Sequence, residues 1–104
     1  MADFNLKRGD TSPSLIYTMQ PPTDLTGATV VALMADPTGF LILNRVAVEI
    51  VDVQEGVIQY DWKAGDTAAV GEMKLEFEVT FADGAIETYP NVGFISVSIA
   101  KDLG

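Results

Sequence analysis

Carboxylates are the side chains of this sequence with the greatest chemical potential, because its 104 residues include 15 Asp and Glu and no His or Cys. Acid–base catalysis needs two carboxylates that converge in a pocket, one of them with a raised pKa. Glu72, Glu76 and Glu78 instead alternate with apolar residues, which predicts one wet face of a strand. We therefore predict that the chain is not an enzyme and has no catalytic residues.

The missing residue types exclude further chemistry. Without Cys there is no thiolate nucleophile, disulfide framework or zinc finger, and without His there is no Ser-His-Asp triad or imidazole metal site. Calcium needs about six or more oxygens, and no D-x-D-x-D-G loop occurs. Loop acids Asp61 and Asp66, or Asp24 and Asp36, could meet at one end of a fold. The sequence predicts no metal and no cofactor.

The charge balance bears on partners. The formal net charge is -9, whereas nucleic-acid binding needs clustered Lys and Arg, and anionic lipids do not attract an acidic surface. No fully apolar run, that at 40–43 included, approaches the ~18 residues of a membrane span. The polar first ten residues contain no secretory apolar core. We expect no nucleic-acid partner, no membrane partner and synthesis in a cytoplasm.

Alternation of apolar and polar residues dominates the chain and predicts β-strands. The clearest case is 72–81, where every second residue is apolar. Turn signals at 36–39, 55–56 and 83–84 predict hairpins. The stretch 64–71 is predicted as a crossover loop with one helical turn at 67–69, capped by Asp66. The predicted strands are 4–7, 15–20, 28–35, 46–53, 57–62, 72–81 and 94–100.

Seven or eight short strands in one domain, 1–104, predict an all-β fold, an immunoglobulin-like Greek-key β-sandwich. Trp62 is the expected core anchor between the two sheets. Tyr60 lies two residues earlier and enters the same face. The ring N–H and the phenol O–H of these residues need polar partners when buried.

Several motifs occur in an ordered series. They are DLTGATV at 24–30, VIQYDW at 57–62 and GDTA at 65–68, followed by EFEV at 76–79 and TYP at 88–90. From Phe4 to about Ile99 the chain resembles the N-terminal immunoglobulin-like domain of the phage upper baseplate protein family. Family members carry this domain at the head of a longer chain, and we expect a stand-alone copy here.

The resemblance implies a non-enzymatic structural protein of a tailed-phage virion that acts by protein–protein docking. It would be a baseplate or tail component, a head or tail decoration, or an adaptor. Its expected partners are other virion structural proteins, with a homo-oligomer or several copies in a symmetric assembly. Its expected location is the virion, assembled in the cytoplasm of a bacterial host.

Two apolar segments are candidates for the docking surface. Four large apolar residues in succession cannot all point inward from a strand, so some of them must meet another surface. Two valines near the end of the 46–53 segment are out of phase with its inward residues. The predicted protein-interface residues are Phe40, Leu41, Ile42, Leu43, Val51 and Val53.

The alternative hypothesis is a stand-alone adhesion or host-binding module that uses loops at one end of the sandwich. Residues 8–10 spell Arg-Gly-Asp, an integrin-type adhesion tripeptide. The same residues, followed by Thr-Ser-Pro at 11–13, are also typical of a turn between the first two strands. Exposed loop aromatics would favour a glycan-binding module, but Tyr60 and Trp62 are in strand phase and predicted buried.

Overall fold

The computed structural model describes residues 3–103. About half of the residues are in strands, and no α-helix occurs within that range, so the chain is all-β. One 3₁₀ turn, Ala64–Thr67, is the only other regular element there. The strands are β1 (Phe4–Lys7), β2 (Leu15–Thr18), β3 (Thr29–Ala35), β4 (Leu41–Ala47), β5 (Glu49–Asp52), β6 (Val57–Tyr60), β7 (Gly71–Thr80), β8 (Ile86–Tyr89) and β9 (Ile95–Ala100).

The strands form two sheets, an arrangement compatible with a β-sandwich. The larger sheet has the order β1-β9-β7-β3-β4, and β8 also pairs with β7. The smaller sheet has the order β2-β6-β5. β1 runs parallel to β9 and the other pairs of the larger sheet are antiparallel, so that sheet is mixed.

The ten-residue strand β7 organises the larger sheet, as its strict alternation predicts. Its apolar side chains are buried, and its charged side chains lie on the outer face. β3 pairs with one edge of β7, and β9 and β8 share the other edge. The four buried side chains are Met73, Leu75, Phe77 and Val79.

Trp62 lies in the core as predicted, with 4% of its surface exposed. Its ring is 5.2 Å from the ring of Tyr60 in an edge-on arrangement and 5.8 Å from the ring of Phe4. The Tyr60 hydroxyl donates a 2.5 Å hydrogen bond to Asp66. The expected partner of the indole N–H is absent among the described residues, so Nε1 of Trp62 is buried without a hydrogen bond.

The predicted strand 46–53 is wrong in its bounds, because two strands divide that stretch. β4 ends at Ala47, and the Val48 N–H then donates to the Val30 carbonyl at 3.0 Å where the chain passes to β5. Pairing with β3 is irregular in two places, and Arg45 has a φ of 56°. Because of these bulges, Leu43 and Val46 both lie opposite inward residues of β3, although they are three residues apart in the chain. The period of two is therefore broken in β4.

The three hairpin predictions are confirmed, whereas the predicted number of strands and the predicted position of the helical turn are wrong. β3–β4, β5–β6 and β7–β8 are hairpins at the predicted turns. β8, a short and mostly polar segment, was not among the predicted strands, so nine strands replace seven or eight. The helical turn lies at Ala64–Thr67 because Asp66 bonds back to the Lys63 N–H and to the Tyr60 hydroxyl.

Candidate protein-docking surface

The six predicted interface residues do not form one surface. Leu43 is only 2% exposed and lies in the core, so it cannot contact a partner of the folded chain, which corrects its inclusion. Its side chain points inward because it pairs with Met34, a buried residue of β3. Leu41 pairs with Ala35 and faces outward, 40% exposed.

The other four predicted residues lie in two places. Phe40 and half-buried Ile42 line a cleft between the β3–β4 hairpin and the segment that contains the 3₁₀ turn. Val51 and Val53 are exposed, and they lie on and just after β5, an edge of the smaller sheet. These two places belong to different sheets.

A larger cavity of about 420 Å³ lies on the side of the molecule where β1 and β2 are found. Its lining is mainly apolar and aromatic, and Asp3 is the only charged residue among the described residues that line it. We call this cavity the β2 cleft. It is lined by Asp3, Phe4, Leu15, Ile16, Tyr17, Pro90, Val92, Phe94 and Ile95.

Part of the wall of the β2 cleft is formed by residues that interrupt the larger sheet. Tyr89 of β8 pairs with Phe77, and Ile95 of β9 pairs with Leu75, so residues 90–94 leave the sheet opposite a single residue of β7. This excursion exposes 89% of Val92. Pro90 at its start lacks a backbone N–H, so it cannot donate to the ladder there.

A shallow apolar groove crosses the outer face of the larger sheet. Leu33 and Ala35 of β3 and Leu41 of β4 line it, together with the 52% exposed Phe94. Nζ of Lys74 lies 5.3 Å from the centre of the Phe94 ring, a cation–π contact. We call this surface the outer groove.

Phe94 lines both the β2 cleft and the outer groove, so the two surfaces are continuous. Together they form what we call the apolar band, which runs from the edge of the smaller sheet to the outer face of the larger one. Contiguous exposed apolar surface on a small domain is typical of a protein-interaction site. The most exposed large side chains of the band are Ile16, Leu41, Val92 and Phe94.

Of the exposed residues of the apolar band, the sequence predicts Leu41 as an interface residue but not Ile16, Val92 or Phe94. The sequence places Ile16 in a strand but does not show which edge of a sheet that strand occupies. It predicts Phe94 as the first residue of the last strand, whereas β9 begins one residue later. The only signal was Pro-Asn-Val-Gly at 90–93, in which turn residues flank an apolar side chain.

Carboxylates border the smaller sheet near the β2 cleft. Asp61 accepts hydrogen bonds from the Ser14 hydroxyl and the Gln59 amide, and these bonds hold the pKa of Asp61 below its ordinary value. Glu49 pairs with Gln59 in the ladder. Strands β2, β5 and β6 contain no Lys or Arg. Lys63 also lies near Asp61 and contributes to its lowered pKa, so acidic groups outnumber basic ones on this side of the molecule without excluding them.

The Arg-Gly-Asp tripeptide forms a turn fixed to the body of the domain. Arg8 makes a 2.7 Å ion pair with Asp102. The Gly9 N–H donates to the Thr67 carbonyl at 3.0 Å, and the Thr67 hydroxyl donates to the Asp10 carbonyl at 2.9 Å. These contacts tie the tripeptide to the 3₁₀ turn and already engage the guanidinium.

The loop acids are used locally. Asp24 and Asp36 cannot meet, because they flank opposite ends of β3; each bonds a threonine two residues later. Those threonine hydrogen bonds lower the pKa of both carboxyls. Between residues 3 and 103, no set of three or more acidic side chains is grouped to bind a metal ion, and no helix has the length and apolarity to cross a bilayer.

Comparison of the chain with models of protein families, with curated proteins and with solved structures gave no match.

Proposed function

We propose that this chain is a non-enzymatic docking module of a tailed-phage particle, built as an immunoglobulin-like Greek-key sandwich. The observation that carries the docking role is the apolar band, in which Phe94 joins the β2 cleft to the outer groove. The role in a virion rests on the resemblance of the ordered motifs to the phage upper baseplate domain.

Strand order supports the immunoglobulin-like assignment. The order β2-β6-β5 corresponds to strands B, E and D of that fold, and β9-β7-β3-β4 corresponds to strands G, F, C and C′. Antibody domains carry their buried tryptophan on strand C, whereas Trp62 directly follows β6 in the opposite sheet. The proposed fold therefore has the strand order of the immunoglobulin fold, but its buried tryptophan comes from the opposite sheet.

The exposure of the apolar band supports docking. Val92 is 89% exposed and Phe94 52%, although both lie beside a cavity that the domain itself does not fill. Aromatic side chains in such positions are typical centres of protein interfaces. Lys74 and Glu76 border the outer groove and supply a polar rim of both signs.

The motifs that carry the resemblance have structural tasks in the chain. Asp24 accepts hydrogen bonds from the backbone and hydroxyl of Thr26, at 2.9 and 2.6 Å, before β3 begins. Gly27 has a φ of 73°, and a Cβ there would lie 3.0 Å from the Cβ of Ala82. These residues fix how the chain enters a central strand, a constraint that any domain of the same build would share.

Quantitative mass spectrometry of tailed-phage particles from the host that encodes the chain tests the virion role. We expect the chain in purified particles at a fixed copy number. A Phe94→Asp variant should be incorporated at least about tenfold less, because a charge would be buried at the centre of the interface. Val92→Asp should be incorporated equally poorly, and because Val92 is 89% exposed this substitution does not disturb the core.

Ile86→Asp is the matched control, since Ile86 is 63% exposed but lies outside the apolar band. It should enter particles at the wild-type level. Particles without the chain would overturn the virion role. Wild-type incorporation of both Phe94→Asp and Val92→Asp would overturn docking through the band.

A further inference from the structure

We propose that the free edge of β2 accepts an extended strand of a partner protein, with alternating basic and apolar residues, as a fourth strand of the smaller sheet. This inference rests on the proposed docking function and names the kind of segment that the apolar band takes. Three observations carry it: outward backbone groups on β2, the adjoining β2 cleft and the acidic surroundings.

The backbone of β2 is free on one side. Among residues 3–103 its only strand partner is β6, and the Met19 N–H donates to the Gly56 carbonyl at 2.9 Å just beyond that ladder. Hydrogen-bonded and non-hydrogen-bonded pairs alternate in an antiparallel ladder. Tyr17 is therefore in a bonded pair with Ile58, and the backbone groups of Ile16 and Thr18 point away from β6. Such an edge is a template for another strand.

The β2 cleft can receive the side chains of an added strand. Successive side chains of a strand point to opposite faces, and paired strands lie about 4.8 Å apart. Every second residue of the added strand would therefore be directed into the cleft. Phe4, Tyr17 and Val92 make that space apolar, and its volume of about 420 Å³ has room for several side chains. The inward residues of the partner are therefore apolar.

The charge beside the edge specifies the other residues of the partner. Asp61, on the outer side of the smaller sheet, accepts a hydrogen bond from Ser14, the residue directly before β2. The carboxylate of Asp3 in the cleft instead accepts a hydrogen bond from the Ser96 N–H. Strands β2, β5 and β6 contain two acidic residues and no Lys or Arg, so together with Asp61 the acidic groups outnumber Lys63, the basic residue close enough to Asp61 to lower its pKa. A second copy of this chain, with net charge -9, would bring like charges together at this edge. Basic outward residues on a different protein fit instead.

A peptide of about ten alternating lysines and valines, the usual upper length of a strand, is the probe. Amide hydrogen exchange of the folded chain is followed by NMR with and without it. The Ile16 and Thr18 amides should exchange at least about tenfold more slowly with the peptide, because each N–H would acquire an acceptor. The Tyr17 amide already faces β6 and should change little.

Two control peptides separate strand addition from charge attraction. A lysine–valine peptide that is N-methylated at every backbone nitrogen has the same charge but no backbone donors, and its methyl groups keep it from a strand edge. This peptide is used rather than a lysine–proline peptide, whose lysines would keep their N–H groups. An alternating glutamate–valine peptide has the donors and the wrong charge. Neither should slow exchange at Ile16 or Thr18. The proposal would be overturned if the N-methylated or the glutamate–valine peptide protected the Ile16 and Thr18 amides as much as the lysine–valine peptide does. It would also be overturned if the lysine–valine peptide gave these amides no protection.

Ile16→Pro tests the edge within the chain, since it removes an outward N–H and no bond to β6. It should abolish protection of Thr18, whereas Ile16→Ala, which keeps the N–H, should retain it. If Ile16→Pro does not fold, Val92→Lys provides the test, because a lysine beside the cleft would repel the peptide. Ile86→Lys, outside the cleft, is its control and should bind as wild type. Binding unchanged in Val92→Lys would contradict the proposal.

Sedimentation distinguishes a second copy as occupant. A dimer of the free chain that Ile16→Pro dissociates would overturn the proposal of a basic partner. The proposed function fails separately, through wild-type incorporation of Phe94→Asp and Val92→Asp into particles. If Phe94→Asp blocks incorporation into particles but the lysine–valine peptide does not protect the Ile16 amide, the docking function stands and strand addition at β2 is excluded.

Discussion

The two sheets approach each other along two sides of the domain, and the chain connects them differently on each side. On one side β4 leaves the larger sheet at Ala47 and β5 joins the smaller sheet at Glu49, so a nearly continuous chain closes the gap. On the other side β1 and β2 are joined only through residues 8–14, and the β2 cleft remains between them. We call these the closed side and the open side.

This difference separates a side whose backbone is bonded within the domain from a side that the proposed docking would use. The closed side binds its backbone internally, for example through the hydrogen bond from the Val48 N–H to the Val30 carbonyl. The open side has an apolar cavity and an edge of β2 that pairs with no strand among the described residues. Substitutions on the closed side should therefore act mainly on stability, and those at the rim of the open side mainly on docking.

Leu43→Asp, on the closed side, should have the largest effect. Leu43 is 2% exposed, and an unpaired carboxylate there should cost more than about 5 kcal/mol and leave the chain unfolded. Leu41→Asp, two residues away and 40% exposed, should cost less than about 1 kcal/mol. Urea unfolding measures both variants, and equal stability of the two would show that β4 does not have the described register.

Trp62→Ala should cost about 3–5 kcal/mol, because the ring packs between the sheets against Phe4 and Tyr60. Trp62→Phe should cost clearly less, since it keeps most of the contacts and removes the buried N–H that has no partner. Both values come from urea unfolding. A loss below about 1 kcal/mol for Trp62→Ala would show that the ring is not in the core.

Tyr60→Phe should cost about 2 kcal/mol, because it deletes the hydrogen bond to Asp66. Burial, and then this bond, raise the pKa of the Tyr60 phenol, so folding favours its protonated form. That contribution is complete below about pH 10, the ordinary pKa of tyrosine, and is lost as the pH rises further. Wild type should therefore lose stability above pH 10 more steeply than Tyr60→Phe, and parallel pH profiles would contradict this.

The smallest expected effect is at Arg45, in a bulge of the closed side. Arg45 has a φ of 56°, which disfavours residues other than glycine, and its side chain makes an exposed ion pair with Glu78. Arg45→Ala loses the pair and keeps the backbone strain, whereas Arg45→Gly loses the pair and relieves it. Arg45→Gly should be more stable than Arg45→Ala by about 1 kcal/mol in thermal unfolding. The reverse order would show that the bulge is not left-handed at Arg45.

Period-two alternation predicted the strands whose partners lie in regular register. β7 is the best case, because its apolar residues at 73, 75, 77 and 79 are all buried. The alternation is broken in β4, where two bulges shift the inward positions to Leu43 and Val46. β8 was missed because, at the end of the sheet, its side chains are largely exposed and no apolar face is required.

The candidate surface was predictable only in part. An apolar run such as 40–43 indicates that some side chains face outward, but which of them do so depends on bulges that involve the partner strand. Ile16 looks like any strand residue, and its importance comes from β2 lying at an edge. Phe94 joins two surfaces only because 90–94 leaves the sheet between β8 and β9. The bulges, the edge position of β2 and the excursion at 90–94 all depend on how distant segments pair. The local sequence around each residue does not show this pairing.

The parallel pairing of β1 with β9 has a consequence for biosynthesis. Phe4 lies opposite Val97, and Lys7 opposite Ala100, so β1 is synthesised long before β9, its only strand partner among residues 3–103. Contacts so distant in sequence slow folding, because a large loop must close before they form. The larger sheet therefore stays incomplete until β9 has been translated, and chaperones have that interval in which to engage exposed apolar segments.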